Sequence, residues 1–234
     1  MSEAKFSIEP IFAVPFVSVM HPDPGALNTE LRRYLLDLES YGERYKNQQP
    51  MVNRNGEVFE SHFQLFDAEN AAVQSLRLYC FQHLYQAIGQ LNGYTVDMLK
   101  NLHIAVESWF HITRCGGYFP AHNHALHSWS GIYCVDPGLP SETDPTNGVL
   151  SFINPFAMNT MFLDMAVVRM AGGYNYGPRE IQLTAGQLLL FPSWLLHEVR
   201  PYTANGERVT IAFNVKFKLA GATPDKVPVG NLDS

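Results

Sequence analysis

The sequence has few cysteines and no long apolar run. Its 234 residues include three cysteines, Cys80, Cys115 and Cys134, an odd and sparse set that indicates reduced thiols and not a disulfide framework. No apolar stretch approaches the roughly 20 residues that a transmembrane helix requires. The N-terminal residues lack the basic start and the apolar segment of a secretory signal. We therefore expect a cytoplasmic protein that does not enter a membrane.

Positive charge is scarce as well. Lys and Arg total 16 against 22 Asp and Glu, which gives a net charge of -6, and the basic residues form no run. Nucleic-acid binding depends on a positive surface, so we expect no nucleic-acid partner. A homodimer is compatible with the sequence, which does not fix the oligomeric state.

Apolar residues make up 46% of the chain, enough for a sizeable core, and residues 1–234 are expected to form a single domain. Residues 1–100 are predicted to supply an N-terminal strand and supporting helices. The strand is predicted over 6–19 from β-branched and aromatic residues, and a polar surface loop over 46–62.

Two amphipathic helices are predicted in this N-terminal part. Asp23, followed by Pro24, is the expected N-cap of the first helix. Asp67 is the expected N-cap of the second, which Asn92 and Gly93 end. Each helix has one apolar face, so both are expected to pack on one face of a sheet.

From about residue 101 the pattern becomes strand-like, with short apolar runs separated by glycine-containing turns. Helices followed by many short strands predict a mainly β fold with buttressing helices, a sandwich or jelly roll. The core is expected to span 101–218. Its predicted strands are 103–113, 129–135, 148–153, 180–183, 187–191, 196–199 and 207–218.

Residues 154–179 interrupt these strands. This insertion is rich in methionine, glycine and tyrosine and is too long for a tight turn. Two interpretations remain open, a lid that faces a substrate and a surface loop without a functional role. On the first, Tyr174 and Tyr176 are candidate substrate contacts.

Three histidines have the spacing of a metal site. If 120–133 begins as a strand, His122 and His124 point to the same side because side chains alternate with period two. His197 ends a second apolar run far along the chain. Imidazole suits iron, and we predict that these three side chains bind one iron ion.

Arg208 follows His197 by eleven residues and begins another apolar strand. Its guanidinium can hold a carboxylate through two parallel hydrogen bonds. Thr210, two residues on, faces the same side and can add a hydroxyl donor. We predict that the two residues anchor an acidic cosubstrate.

The order of these motifs resembles the 2-oxoglutarate/Fe(II)-dependent oxygenase superfamily. More narrowly, the chain resembles a group of oxygenases with a Pro-x-His-x-His strand, a Ser-Gly-(Val/Ile)-Tyr segment and a Phe-Pro-Ser-x-Leu-x-His segment. The resemblance covers roughly 100–218. The matching segments are Pro120 to His124, Ser130 to Tyr133, Gly148 to Phe152, Gly186 to His197 and Glu207 to Asn214.

The resemblance implies a double-stranded β-helix, which is a cupin-like jelly roll, with Fe(II), 2-oxoglutarate and O2 as cofactor and cosubstrates. It implies that the distal carboxylate of 2-oxoglutarate binds Arg208, with Thr210 or Tyr133 as a further contact. The expected reaction is hydroxylation of a small organic molecule with release of succinate and CO2.

His124 departs from the superfamily pattern, in which an Asp or Glu stands at this position. Three readings remain open. His124 replaces the carboxylate, or His124 leaves the metal with two protein ligands and water, or another carboxylate such as Glu107 or Asp164 completes the set. The first is favoured.

Substrate contacts are assigned to His127, Trp129, Tyr174 and Tyr176, although strand alternation turns His127 away from His122 and His124. The acidic chain favours a compact organic substrate over a polyanion. Two other functions remain open. One is a 2-oxoglutarate-independent three-histidine dioxygenase or isomerase, which His124 favours and Arg208 opposes, and the other is a non-enzymatic metal or small-molecule binding module.

Overall fold

A computed structural model describes residues 6–50, 52, 57–157 and 162–219. Three α-helices are present in this part of the chain: α1 Gly25–Ser40, α2 Ala71–Asn92 and α3 Val96–Lys100. The strands are β1 Val17–Met20, β2 Val58–Glu60, β3 Leu102–Thr113, β4 Phe119–His122, β5 Trp129–Asp136, β6 Leu150–Phe152, β7 Arg179–Ile181, β8 Gln187–Pro192, β9 His197–Val199 and β10 Arg208–Leu219.

The strands form two antiparallel sheets. The larger sheet has the order β1-β8-β5-β10-β3-β2 and the smaller has the order β4-β9-β6-β7. Each of the seven strand runs predicted from the sequence contains one strand, with ends that agree within two residues. The expected double-stranded β-helix with buttressing helices is confirmed.

The helices cover the outer face of the larger sheet. α1 buries Leu31 and Leu35 there, and α2 buries Leu76 and Leu84. These side chains join one apolar cluster with the alternate residues of β10, namely Val209, Ile211, Phe213 and Val215. Fully burying a side chain of this size stabilises the fold by about 1.5–3 kcal/mol. This cluster therefore fixes the large sheet as the rigid support of the molecule.

A close contact inside the larger sheet depends on Gly131. It pairs with Phe213 across β5 and β10, and a Cβ atom added to Gly131 would overlap the Phe213 ring. The ring therefore occupies the space that any other side chain at position 131 would need.

The helix starts differ from the predicted ones. α1 begins at Gly25 with Pro24 in the cap position, and no side chain caps it, because the side chain of proline has no hydrogen-bonding group. α2 is capped by Asn70, whose side-chain oxygen accepts hydrogen bonds from the backbone N–H groups of Ala72 and Val73. Asp67 instead lies in a preceding 3-10 turn. The predicted end of α2 is confirmed, since Gly93 adopts a left-handed conformation with φ 65°.

Two further predictions for the N-terminal part are wrong. Of the predicted strand over 6–19 only residues 17–19 pair, and with Met20 they form β1 on the edge of the sheet against β8. The segment 46–62 is not all surface loop, because Val58–Glu60 pairs with β3 and buries Val58 and Glu60. A three-residue strand is too short to show an alternation pattern. No helix in the described part of the chain has the length and apolar character needed to span a membrane.

Candidate metal centre and adjoining cavity

A cavity opens between the two sheets and encloses about 470 Å³, within the roughly 300–1,000 Å³ typical of small-molecule sites. One wall is formed by the inward-facing side chains of β3, β5 and β10. The opposite side carries β4, β9 and the turn after β4. His122, His124, His197, Arg208 and Thr210 all line this cavity. The structure thus brings together five of the six residues predicted to bind the metal or the cosubstrate.

His122 and His197 face each other across the β4–β9 pair. They are register partners, and their ring centroids lie 4.3 Å apart. Strand pairing therefore places two imidazoles side by side, although the residues are far apart in sequence.

Both rings are fixed by the same local hydrogen bond. His122 Nδ1 lies 2.8 Å from the carbonyl oxygen of Pro120, and His197 Nδ1 lies 3.0 Å from that of Leu195. A carbonyl oxygen only accepts, so each Nδ1 carries the proton and each Nε2 keeps a free lone pair. This arrangement orients an imidazole for binding a metal through Nε2.

His124 lies just beyond the end of β4, where its backbone N–H donates to the carbonyl oxygen of Ser193 over 2.8 Å. The observed strand β4 ends at His122, so His124 lies two residues beyond it and not in the strand as predicted. The three side chains still converge, and one nitrogen from each lies within 4.8 Å of the others. In the described residues no carboxylate joins this group.

The alternative carboxylate ligands lie elsewhere. Glu107 lines the cavity and contacts His127, with 3.3 Å between Glu107 Oε2 and His127 Nε2. Asp164 lies in the exposed insertion, where it accepts a hydrogen bond from the backbone N–H of Ala166. A three-histidine set is therefore the arrangement that the described residues support.

Burial keeps the histidine group neutral. It lowers the pKa of His124 and of His197 to about 3, with a further contribution from the neighbouring imidazoles. Burial also lowers the pKa of His122. Only a neutral imidazole can bind a metal, and the protein favours this form in all three residues.

Arg208 is a buried cation at the start of β10, with 3% of its surface exposed. No acidic side chain in the described part of the chain lies within ion-pair distance of its guanidinium. Burial lowers the pKa of Arg208, yet an arginine keeps its charge in proteins. A buried charge without a counterion is unfavourable, so the cavity is suited to an anionic ligand at this end.

Tyr133 does not line the cavity. It is fully buried in the apolar cluster under the helices, and its hydroxyl donates to Asn28 Oδ1 over 2.8 Å. On β5, Ser130 and Ile132 face the cavity and Tyr133 points to the opposite side. The prediction that Tyr133 contacts 2-oxoglutarate is therefore wrong.

The candidate substrate contacts divide into two groups. His127 lines the cavity, which contradicts the expected orientation, because the chain turns between β4 and β5 and the backbone N–H of His127 donates to the carbonyl oxygen of His124. Trp129 packs against the cluster under the helices. Tyr174 and Tyr176 line a separate shallow depression with Phe12. These last three aromatic residues do not line the histidine cavity, and their role as substrate contacts stays a prediction.

The insertion itself is only partly described, since 158–161 lie outside the described residues. Its described part lies beside the N-terminal segment, and Phe12 and Phe156 contact each other with ring centroids 6.4 Å apart. Whether it acts as a lid stays a prediction.

Sequence reasoning missed the polar wall contributed by β3. Trp109 and His111 line the cavity. His111 Nε2 lies 3.0 Å from Trp109 Nε1 and 3.0 Å from Oε2 of the buried Glu60, the register partner of His111 on β2. This nitrogen accepts from the indole in one tautomer and donates to the carboxylate in the other. Glu107, Trp109 and His111 alternate along β3, and this period-two pattern was the signal that could have identified the wall.

Part of the chain matches a known protein family. Residues 107–214, a little under half of the chain, match the family described as "Putative 2OG-Fe(II) oxygenase". A search of curated protein sequences gives no match.

Several solved structures share the fold. A prolyl-4-hydroxylase from Pseudomonas putida has a TM-score of 0.57 and 17% identity, over 87% of this chain and 92% of that one. HygX from Streptomyces hygroscopicus, solved with nickel, 2-oxoglutarate and hygromycin B, has a TM-score of 0.52 and 12% identity, over 87% and 83%. The epimerase SnoN from nogalamycin biosynthesis, described as α-ketoglutarate dependent, has a TM-score of 0.56 and 11% identity, over 94% and 88%.

At these identities the neighbours establish the architecture, while the family match covers the strands that carry the cavity wall and two of its histidine-bearing segments. Residues 107–214 thus resemble the 2OG-Fe(II) oxygenase family, and the solved structures share the jelly-roll fold of this chain.

Proposed function

We propose that His122, His124 and His197 bind Fe(II), that Arg208 and Thr210 bind the distal carboxylate of 2-oxoglutarate, and that the enzyme hydroxylates a small organic molecule. The observation that carries the proposal is the buried Arg208 guanidinium, which has no acidic partner among the described residues and lines the same cavity as the three histidines.

The donor set fits a ferrous ion. Imidazole nitrogen is a suitable ligand for iron, and the Nδ1 hydrogen bonds of His122 and His197 hold both rings with Nε2 available. His124 supplies a third neutral donor in place of the usual carboxylate. The negative charge of 2-oxoglutarate offsets part of the positive charge that three neutral ligands leave on the metal.

Arg208 and Thr210 hold and orient the cosubstrate. Arg208 is rigid because it is buried at the start of a long central strand, and a bidentate guanidinium fixes a carboxylate in one plane. Thr210 lies on the same side of β10 and also lines the cavity. Together they fix one end of a dicarboxylate and direct its other end towards the histidines.

The bound metal with 2-oxoglutarate supplies the oxidising chemistry. In the overall reaction, 2-oxoglutarate loses CO2, one atom of O2 enters succinate, and the other enters a C–H bond of the substrate to give an alcohol. The surrounding apolar residues, among them Phe191 and Leu150, exclude bulk water from the cavity.

An anaerobic experiment tests the proposal. The protein is loaded with Fe(II), 2-oxoglutarate is added, and the weak visible charge-transfer band of the chelate is recorded before O2 is admitted and succinate is assayed. We expect a band and at least slow, substrate-independent succinate formation. A protein that binds iron but gives neither signal would contradict the role of 2-oxoglutarate.

The role of His124 is tested by His124→Asp. Equal or higher activity would show that the position accepts the usual carboxylate ligand. Loss of the metal would show that an imidazole is specifically required, while an unchanged metal affinity in His124→Ala would contradict its assignment as a ligand.

A second candidate is a three-histidine oxygenase that uses no 2-oxoglutarate. The absence of a carboxylate from the histidine group in the described residues favours it. Arg208 opposes it, because this enzyme would leave a buried cation that has no acidic partner among the described residues. Iron binding without band or succinate in the anaerobic experiment is the result that would favour it.

A further inference from the structure

We propose that the substrate carries a protonated amine, which binds Glu107 at the end of the cavity away from Arg208. This inference rests on the proposed function, because it assumes that 2-oxoglutarate binds Arg208. It adds the chemical class of the substrate and the residue that selects it.

Opposite charges are separated along the cavity wall. Arg208 pairs in register with Thr113, whereas Glu107 pairs with Asn214 at the other end of the same β3–β10 segment. Six residues of strand separate the two ends, a distance of about 20 Å at roughly 3.3 Å per residue. A cosubstrate on Arg208 therefore leaves the Glu107 end for a different molecule.

An acidic substrate would need a cationic side chain in the cavity, and the proposed function assigns Arg208 to 2-oxoglutarate. Among the described residues that line the cavity, Arg208 is the single lysine or arginine. Lys216 lies two residues beyond Asn214 on β10, and its charge acts on His127, but it does not line the cavity. A carboxylate or phosphate substrate would thus face Glu107 without a second cation among the described residues of the cavity wall.

Glu107 offers a carboxylate that can be reached from the cavity. Its described partner is His127, whose Nε2 lies 3.3 Å from Glu107 Oε2. The His127 side chain is almost fully buried, and its Nε2 lies within reach of one carboxylate oxygen of Glu107. The side chain of Glu107 is 42% exposed, which leaves it accessible from the cavity mouth.

An aromatic wall connects Glu107 to the metal centre. Trp109 follows Glu107 on the same side of β3, with Phe63 packed against it at 4.9 Å between ring centroids. The Trp109 ring also lies 5.8 Å from the His124 ring. An amine bound by Glu107 would place its adjoining carbon atoms on Trp109, next to the histidines. An indole face also attracts a cation.

Binding measurements on matched compounds test this inference. The panel contains amines with alkyl, aryl and cyclic skeletons, such as 3-phenylpropylamine, each with its alcohol and carboxylic acid counterpart, here 3-phenylpropanol and 3-phenylpropanoate. Binding is followed by ligand-observed NMR and calorimetry on the full chain with Zn(II) and 2-oxoglutarate, which does not turn over, and also on the metal-free protein. We expect at least one amine to bind about fivefold or more tightly than its alcohol, and no binding of the acids.

The variant Glu107→Gln preserves the shape of the side chain and removes its charge, so it should abolish the preference for the amine over the alcohol. Glu30→Gln, at an exposed carboxylate on α1, is the control and should leave the preference unchanged. The inference is overturned if no amine binds better than its alcohol, if an acid binds as well as its amine, or if the preference survives in Glu107→Gln.

The same proteins separate this inference from the proposed function. If the wild type gives no charge-transfer band and no succinate, the role of 2-oxoglutarate fails. The NMR comparison on the metal-free protein still reports whether Glu107 selects amines. A band and succinate without amine selectivity overturn only the substrate class.

Discussion

The two sides of β10 differ completely in character although they share one backbone. Towards the helices the strand presents Val209, Ile211, Phe213 and Val215, all fully buried in one apolar cluster. Towards the cavity it presents Arg208, Thr210, Ala212 and Asn214, also buried but mostly polar. Burial is thus equal on the two sides, whereas polarity is not.

The apolar side of β10 stabilises the fold, and the polar side is suited to binding ligands. Apolar side chains stabilise the fold in proportion to the area that they bury, whereas a buried polar group costs free energy unless it is paired. Asn214 is paired, since its Oδ1 accepts a hydrogen bond from Ser130 Oγ over 2.7 Å. Arg208 is not paired with any described acidic side chain. The free energy that its burial costs is what we expect at a site where an anion binds.

The largest expected effect concerns the ligands opposite this strand. His197→Ala should reduce affinity for Fe(II) or Zn(II) by more than about 100-fold and abolish succinate formation, because one of two rigidly oriented nitrogen donors is lost. Calorimetric metal titration measures the change, and circular dichroism checks the fold. The exposed histidine of β3, in the variant His103→Ala, is the control. Metal affinity close to that of the wild type in His197→Ala would remove this residue from the site.

A change on the helix side should act on stability alone. Phe213→Ala should lower the free energy of unfolding by about 4 kcal/mol, since it leaves a large cavity beside Gly131. Denaturant unfolding measures this loss. The affinities of the remaining folded protein for metal and 2-oxoglutarate should not change. A large loss of 2-oxoglutarate affinity at a temperature where the variant is folded would contradict the separation of the two sides.

A change on the cavity side of β10 should weaken ligand binding without lowering the stability of the fold. Arg208→Met should weaken 2-oxoglutarate binding by about 100-fold, equivalent to roughly 2.7 kcal/mol, while metal affinity is kept. Because the variant removes a buried charge that no acidic side chain in the described part of the chain pairs with, the unfolding temperature of the ligand-free protein should stay equal or rise.

The smaller change Thr210→Val is the matched comparison for Arg208→Met and should weaken 2-oxoglutarate binding by about tenfold or less. The cosubstrate affinities follow from calorimetry. An unchanged affinity in Arg208→Met would end the assignment of its role.

The smallest effect is expected at Tyr133, which lies on the helix side of β5. Tyr133→Phe removes the hydrogen bond to Asn28 and should lower the free energy of unfolding by about 1 kcal/mol. The dissociation constant of 2-oxoglutarate should stay the same. Weaker binding of 2-oxoglutarate to this variant would show that Tyr133 contacts the cosubstrate.

The strands and the main site residues could be predicted because both depend on short-range patterns. Alternation with period two identifies the pocket side of β10 from Arg208 and Thr210 alone. Tyr133 was assigned to the wrong side because the family motif names the residue but not its phase relative to β10. The phase follows from the register between β5 and β10, which includes a shift between Val209 and Thr210.

Other features depend on long-range pairing that one sequence does not contain. The three residues of β2 become a strand through pairing with β3, and Glu60 reaches the cavity wall in this way. His127 faces the cavity because of a turn after β4, where strand alternation no longer applies. The cap at Asn70 was missed because Asp67, an equally good capping residue, precedes it by three positions.

The contact between Gly131 and Phe213 has a consequence for the evolution of the chain. Every substitution at position 131 adds a Cβ atom in the space of the ring, so the effect of a change there depends on which residue stands at 213. Gly131→Ala should be tolerated far better in a background of Phe213→Leu than alone, although neither side chain touches the metal centre. The two positions are therefore expected to vary together among related sequences, as an epistatic pair that constrains which neighbours of this sequence can be reached by single mutations.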